Sequence, residues 1–301
     1  MNSKNISADP IILAFDDELD LGRRLSDRSG YALATIETHR FPDGEWRLKL
    51  PPVLPRRVVL LRGLDHPAEK LVHLLIAART ARELGAHDLS LLSPYLCYMR
   101  QDARFSPGEA VSQRIVGGFL AQLFDAVVTV DPHLHRISRL DEAIPIPRAV
   151  AVSAAAEIGR FVAARAPGSV LIGPDEESRQ WVHMAAEVAG ADYGICLKAR
   201  RGDRDVTVAR PDIAVAGRRV VLVDDVASTG HTLAAAARGL LGDGAVRVDV
   251  AVTHALLAPE AMTMLRDSGI GEVWSCTTVV HSTNSIDVTS LLVSALRTAL
   301  R

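Results

Sequence analysis

Two adjacent carboxylates, Asp224 and Asp225, followed by Ser228, Thr229, Gly230, His231 and Thr232, are the part of this 301-residue chain best equipped for chemistry. The apolar run Val220–Val223 before them reads as a buried parallel strand, and the alanine-rich run Leu233–Leu241 after them reads as a helix. A strand, a short loop and a helix N-terminus make a cradle for phosphate, because backbone N–H groups and hydroxyls converge there and the helix dipole favours negative charge. The acids set this cradle apart. Carboxylates repel a bare phosphate, but they accept hydrogen bonds from sugar hydroxyls or hold a cation resting on those hydroxyls. The residue types therefore ask for a sugar phosphate, with an ordinary strand end and its cap cluster as the plainer alternative.

Three segments of the first half carry further candidates. Phe41-Pro-Asp-Gly-Glu-Trp46 combines an aromatic ring, a turn and the acids Asp43 and Glu45. Pro-Asp-Gly is a turn signal, and the choice lies between a simple exposed hairpin and a ring that stacks on a nucleobase while the acids accept from its amine. Ser93-Pro-Tyr-Leu-Cys-Tyr-Met-Arg-Gln-Asp102 directly follows a strand, where Arg100 can clamp phosphate oxygens and Gln101 can donate and accept. Val127-Val-Thr-Val-Asp-Pro-His133 ends another buried strand; His133 there suits a phosphate or a magnesium shell, and a satisfied structural histidine is the alternative. In the second half the strand Gly194–Leu197 ends with Lys198 and Arg200 at alternate positions, which point to one side. Lysine is rare here (Lys4, Lys49, Lys70 and Lys198 among 34 basic residues), and that draws attention to Lys198.

The elements that position these residues alternate along the chain. Short apolar strands at Ile11–Phe15, Val58–Arg62, Leu89–Ser93, Ala126–Val130, Val170–Gly173, Gly194–Leu197, Val220–Asp224, Val246–Val252 and Glu272–Ser275 are separated by helical runs such as Ala68–Leu84, Ser112–Leu123, Ala154–Ala164, Ser178–Ala189 and Pro259–Ser268. The alternation predicts an α/β fold of two similar domains, each a mainly parallel sheet flanked by helices, with ligands at the carboxyl ends of the strands. Pro145 and Pro147 mark the expected boundary, giving domains 1–147 and 148–301. Val288–Leu300 reads as an amphipathic packing helix.

Composition excludes several classes. A net charge of −2 leaves no polyanion footprint, so nucleic acid is not an expected partner. Cys97, Cys196 and Cys276 are widely spaced and odd in number, which fits neither a disulfide framework nor a zinc site and suits a reducing cytoplasm. No apolar run reaches the roughly 18 residues of a membrane helix, and Met1–Pro10 has no signal-type apolar core.

Together and in this order, the Phe-x-Asp-Gly-Glu turn, the Pro-Tyr-x-x-Tyr-x-Arg-Gln-Asp segment, the Thr-Val-Asp-x-His strand end and the Asp-Asp-x-x-x-Thr-x-x-Thr loop resemble the ribose-phosphate diphosphokinase family, built on the type I phosphoribosyltransferase fold. The resemblance runs from Phe41 through Leu292. It implies transfer of the diphosphoryl group of ATP to ribose 5-phosphate with Mg2+, in a homo-oligomer whose nucleotide site is shared between subunits. It implies that Phe41, Asp43 and Glu45 meet adenine, that Arg100 and Gln101 contact ATP, and that His133 sits near its phosphates and magnesium. It further implies that Asp175 belongs to the ribose 5-phosphate and metal site, that Asp224 and Asp225 hold the ribose hydroxyls, and that Ser228, Thr229, Gly230, His231 and Thr232 hold the 5-phosphate. Lys198 and Arg200 match cations that sit on a closing loop in the family and, with Arg100, would act as the catalytic residues. A transferring diphosphoryl group needs positive charge that arrives as water leaves. The chain departs from the family pattern at Glu176-Glu177-Ser178, where small residues are usual, and at Leu197, Ala199, Ser228 and His231. A phosphoribosyltransferase and a non-catalytic regulatory subunit are the competing expectations.

Overall fold

A computed structural model describes residues 10–104, 106–201 and 205–301, with side chains described except over 198–201 and 205–210. Two compact units emerge. One runs to Val152 and takes in Thr289–Arg301; the other is Ser153–Val288.

The first unit holds a seven-stranded sheet made of β1 (Ile11–Phe15), β2 (Ala32–Arg40), β3 (Trp46–Lys49), β4 (Arg57–Leu61), β5 (Asp88–Leu92), β6 (Ala126–Val130) and β7 (Arg148–Val152), in the order β3-β2-β1-β4-β5-β6-β7. All pairs are parallel except the edge hairpin of β2 and β3. The central strands are continuous apolar runs because both faces are covered; Val58 to Leu61 are all fully buried. The connecting helices are α1 (Leu19–Ser29), α2 (Pro67–Glu83) and α3 (Ser112–Leu123).

The second unit repeats the arrangement with β8 (Val170–Gly173), β9 (Tyr193–Arg201), β10 (Asp205–Pro211), β11 (Arg219–Ala227), β12 (Arg247–Ala255), β13 (Ile270–Cys276) and β14 (Asn284–Ile286) in the order β10-β9-β8-β11-β12-β13-β14. Again only the edge pair, β9 with β10, is antiparallel. Its helices are α4 (Ala155–Arg165), α5 (Arg179–Ala189), α6 (His231–Gly242) and α7 (Pro259–Asp267).

The last helix, α8 (Thr289–Ala299), packs on α1, β6 and β7 in the first unit, with Leu292 and Leu296 fully buried. Arg148 ties it down by donating to the Ala299 carbonyl at 3.1 Å while pairing with Asp88 at 2.8 Å. In the second unit α4 lies on α5 and contacts β12 and β14. α8 therefore covers in the first unit the place that α4 covers in the second. The sequence-based division at 147/148 differs from the compact units at both points: β7 pairs with β6, and the chain's end returns to the first sheet to cover its apolar face. Among the described residues no helix is long and apolar enough to cross a membrane.

In each sheet the strand order reverses between two central strands, β1 and β4 in the first and β8 and β11 in the second. The crevice beyond the carboxyl ends of such a pair is where open α/β sheets bind ligands.

Candidate active site

At the second crevice β11 runs past the acids to Ala227, pairing Asp224 with Val252 and Val226 with His254. Asp224 is half-buried and Asp225 is 4% exposed. The Asp225 N–H donates to Asp224 Oδ1 at 2.9 Å. Burial first, and then the Asp225 and Asp175 carboxylates, push the Asp224 carboxyl well above the usual carboxylate range. The charges of Asp225 and Asp175 thus both bear on Asp224, an arrangement relieved by a cation or by sugar hydroxyls that donate to it.

Beyond Ala227 the chain turns through Ser228 and Thr229 to Gly230, and α6 begins at His231, two residues earlier than Leu233. His231 and Thr232 are therefore the exposed first residues of a helix, with their N–H groups among those that lack intrahelical partners. Gly230 has φ +77°, and a Cβ there would come within 3.2 Å of Leu265 and Met264, so the turn requires glycine. The chain just past β12 holds the start of the turn, the Leu256 N–H donating to the Ala227 carbonyl at 2.8 Å. Thr278 donates its hydroxyl to the Thr253 carbonyl at 2.6 Å, so it accepts from His254 Nδ1 at 2.8 Å, which fixes the proton of this buried imidazole on Nδ1.

Asp175 follows β8. Its Oδ1 accepts the Glu177 N–H at 3.1 Å, and its carbonyl accepts the buried Ser178 hydroxyl at 2.6 Å. Gly173 leaves room for that hydroxyl, since a Cβ there would be 2.2 Å from it. The two extra acids of this turn are exposed, and Glu176 pairs with Arg179 at 2.8 Å. Lys198 and Arg200 lie two positions apart on β9, where the backbone pairs Lys198 with Ala209 of β10. The closing loop implied by the resemblance is here the arm of a hairpin, and the side chains of both cations lie outside the described residues.

In the first unit the turn between β2 and β3 closes with the Phe41 N–H donating to the Glu45 carbonyl at 2.8 Å and the Gly44 N–H to the Phe41 carbonyl at 2.9 Å. Phe41, Asp43 and Glu45 are exposed. Arg100 is exposed and Gln101 half-buried on a loop after β5; that loop is fastened to α3 by Gln113, whose amide donates to the Met99 carbonyl at 3.0 Å. Asp102 turns inward to pair with Arg136, which ties the loop after β5 to the one after β6. His133 is half-buried and stacks on His135 at 6.4 Å. The non-glycine residues with positive φ among those described, His66, Tyr98 and Asp131, lie beyond the carboxyl ends of β4, β5 and β6, and such strain gathers at functional edges.

Sequence reasoning missed a polar cluster at the first crevice. Glu18 Oε1 accepts the Gly63 N–H at 2.6 Å, and burial raises its carboxyl above the usual range. Arg62, 4% exposed, lies over the Phe15 ring at 4.4 Å and pairs with Asp17. The signal lay in the order of the strands: Phe15 and Arg62 stand at the ends of the two strands that turn out to flank the reversal.

The profile of the N-terminal domain of ribose phosphate pyrophosphokinase matches residues 11–123, and that of the phosphoribosyl transferase domain matches residues 150–286. Ribose-phosphate pyrophosphokinase of Methanopyrus kandleri is 40% identical over 92% of this chain and 95% of its own. The chain belongs to the ribose-phosphate pyrophosphokinase family. Ribose-phosphate pyrophosphokinase 2 of Archaeoglobus fulgidus is 34% identical over 90% of this chain and 94% of its own. The fold agrees with that of phosphoribosylpyrophosphate synthetase from Mycobacterium smegmatis, with a TM-score of 0.84 at 22% identity over 97% of this chain and 99% of that one. The pyrophosphokinase fold accounts for two sheets of the same strand order, as the sequence-based fold class expects.

Proposed function

We propose that the chain transfers the β,γ-diphosphoryl group of ATP to the anomeric hydroxyl of ribose 5-phosphate, giving phosphoribosyl diphosphate and AMP. The observation that carries this reading is the Asp224–Asp225 pair near the carboxyl end of β11, just ahead of the Gly230 turn and the N-terminus of α6. Asp224 and Asp225 orient the ribose hydroxyls, while Ser228 to Thr232 hold the 5-phosphate through hydroxyls and helix N–H groups. Phe41 stacks on adenine, and Asp43 and Glu45 accept from its amine. Arg100 and Gln101 hold the ATP phosphates. The exposed adenine turn on an edge hairpin suits a site completed by another copy of the chain, so we expect a homo-oligomer, working in the cytoplasm.

The anomeric oxygen attacks the β-phosphorus in line. The bond from that phosphorus to the oxygen bridging it to the α-phosphorus breaks, AMP leaves with that oxygen, and the hydroxyl proton is released to water. Lys198, Arg200 and Arg100 stabilise the negative charge of the transferring group, so positioning and charge supply most of the rate. Mg2+, when bound, neutralises phosphate charge. Among the described residues no group of three or more histidine, cysteine or acidic side chains forms a metal cage, and magnesium commonly binds one or two carboxylates plus substrate phosphates. Asp175 offers the hard oxygen such an ion prefers, and the His133 imidazole suits its water or phosphate shell better than direct ligation.

The test is nucleotide analysis by chromatography after incubation with ATP, magnesium and ribose 5-phosphate. AMP formed in step with ribose 5-phosphate consumed supports the proposal. ADP in place of AMP makes the protein a single-phosphoryl kinase, and no nucleotide conversion makes it a non-catalytic relative.

A further inference from the structure

The adenine turn is exposed, yet a file of side chains, half-buried at Trp46 and buried beyond it, leads from it to the middle of the first sheet. Trp46, the residue after the turn, meets the His73 imidazole edge to face, with ring centroids 4.6 Å apart and planes at 82°. His73 stacks on Phe15 at 5.5 Å, and its Nδ1 lies 3.3 Å from Arg62 Nη2. On the turn side the Arg40 guanidinium lies over the Trp46 ring at 5.6 Å and pairs with Glu69 at 3.0 Å, and His39 meets the Phe41 ring edge to face at 4.8 Å.

Arginine only donates, so His73 Nδ1 is the bare acceptor and Nε2 carries the proton. His73 Nε2, Trp46 Nε1 and Arg62 Nε are buried without a hydrogen-bond partner among the described residues. Apolar side chains of similar size would avoid these unsatisfied donors, so stability alone does not explain the arrangement. It does place three stiff groups between the turn and the carboxyl ends of β1 and β4.

We infer that Trp46, His73 and Arg62 are positioning residues for ATP, which fix the adenine turn to the crevice of the first sheet without touching the nucleotide. This rests on the reading of Phe41–Glu45 as the adenine site. Burial first, and then the Arg62 charge, lower the His73 pKa, which keeps the ring neutral and Nδ1 free to accept; the charges facing it are Arg62, Glu69, Asp17 and Lys70.

Steady-state kinetics of the full chain with His73→Ala, Trp46→Ala, Trp46→Phe, the His73→Ala/Trp46→Ala double variant and Phe41→Ala test the inference. Each alanine variant at 46 and 73 is expected to raise the KM for ATP about three- to tenfold, the worth of an aromatic pair, with kcat and the KM for ribose 5-phosphate within about twofold of the parent. Trp46→Phe, which keeps a ring against His73, restores most of the loss, and the double variant is no worse than the poorer single one. Trp46 is only half-buried, so its variants keep the test open if His73→Ala does not fold. An unchanged KM for ATP at both positions, while Phe41→Ala raises it, overturns the inference alone. Equal rises in both KM values, or an additive double variant, overturn it too. An unchanged KM for ATP in Phe41→Ala overturns the adenine-turn reading and the inference with it.

Discussion

Asp224→Asn is predicted to make the ligand-free protein more stable and the enzyme inactive. Asp224 is half-buried, receives the Asp225 N–H, and carries a carboxyl whose pKa burial, Asp225 and Asp175 raise well above the usual range. A carboxyl with a raised folded-state pKa resists ionisation in the fold. Its contribution to stability is fully present below the unfolded value of about 4 and is lost as pH rises through the folded value. Asparagine keeps the shape and removes the charge. Relief of an active-site strain of this kind stabilises by about 1–2 kcal/mol, a rise of about 3–8 °C in the affected thermal transition. Scanning calorimetry from pH 4 to 9, with and without magnesium and ribose 5-phosphate, reads both effects. The gap between variant and parent should open as pH rises and disappear near pH 4. The ligand should stabilise the parent and leave the variant unmoved. A variant less stable than the parent at pH 8 without ligand would refute the view that these acids are held together against repulsion for a ligand's sake.

Gly230→Ala forces a side chain into a positive-φ position against Leu265 and Met264; an alanine there costs about 1–2 kcal/mol, and we expect the KM for ribose 5-phosphate to rise about tenfold with the KM for ATP unchanged. Lys198→Ala should cut kcat by about two to three orders of magnitude with an unaltered melting temperature, as loss of a donor to transition-state charge does; normal turnover would remove Lys198 from the mechanism. Burial pushes the Cys97 and Cys196 thiols up to about 12. Iodoacetamide at pH 8 should therefore leave both intact in the native protein and modify both in urea, as peptide mass analysis would show.

The centre of each sheet was legible because its strands are buried on both faces and so read as unbroken apolar runs. Ile11–Phe15, Ala126–Val130 and Val170–Gly173 emerge with the boundaries the sequence suggests. The strands missed lie at or beside the edges. β2 and β7 have few buried positions, β10 is rich in polar residues, β3 and β14 are short, and such segments carry no period that separates them from loop. β11 and β12 outrun their expected ends because Val226 and His254 still pair after the apolar run has stopped. The destination of α8 was invisible for a different reason: its apolar face says that it packs, and only the uncovered first sheet says where. For the site, the diacid and glycine turn could be read directly, since spacing along one strand and one turn fixes them. The cluster of Phe15, Asp17, Arg62 and His73 could not, because it depends on which two strands become neighbours. At the departure from the family pattern after Asp175, Glu176 pairs with Arg179 in an exposed salt bridge, a partnership that sequence spacing alone leaves undecided.

The most direct test of the central claim is the phosphorus NMR spectrum of a reaction containing the purified protein, magnesium, ATP and ribose 5-phosphate. The account predicts that the three ATP resonances give way to an AMP singlet together with the coupled pair of a sugar-linked diphosphate, in equal amounts. ADP resonances beside a sugar bearing a single new phosphate, or an unchanged ATP spectrum, would contradict it.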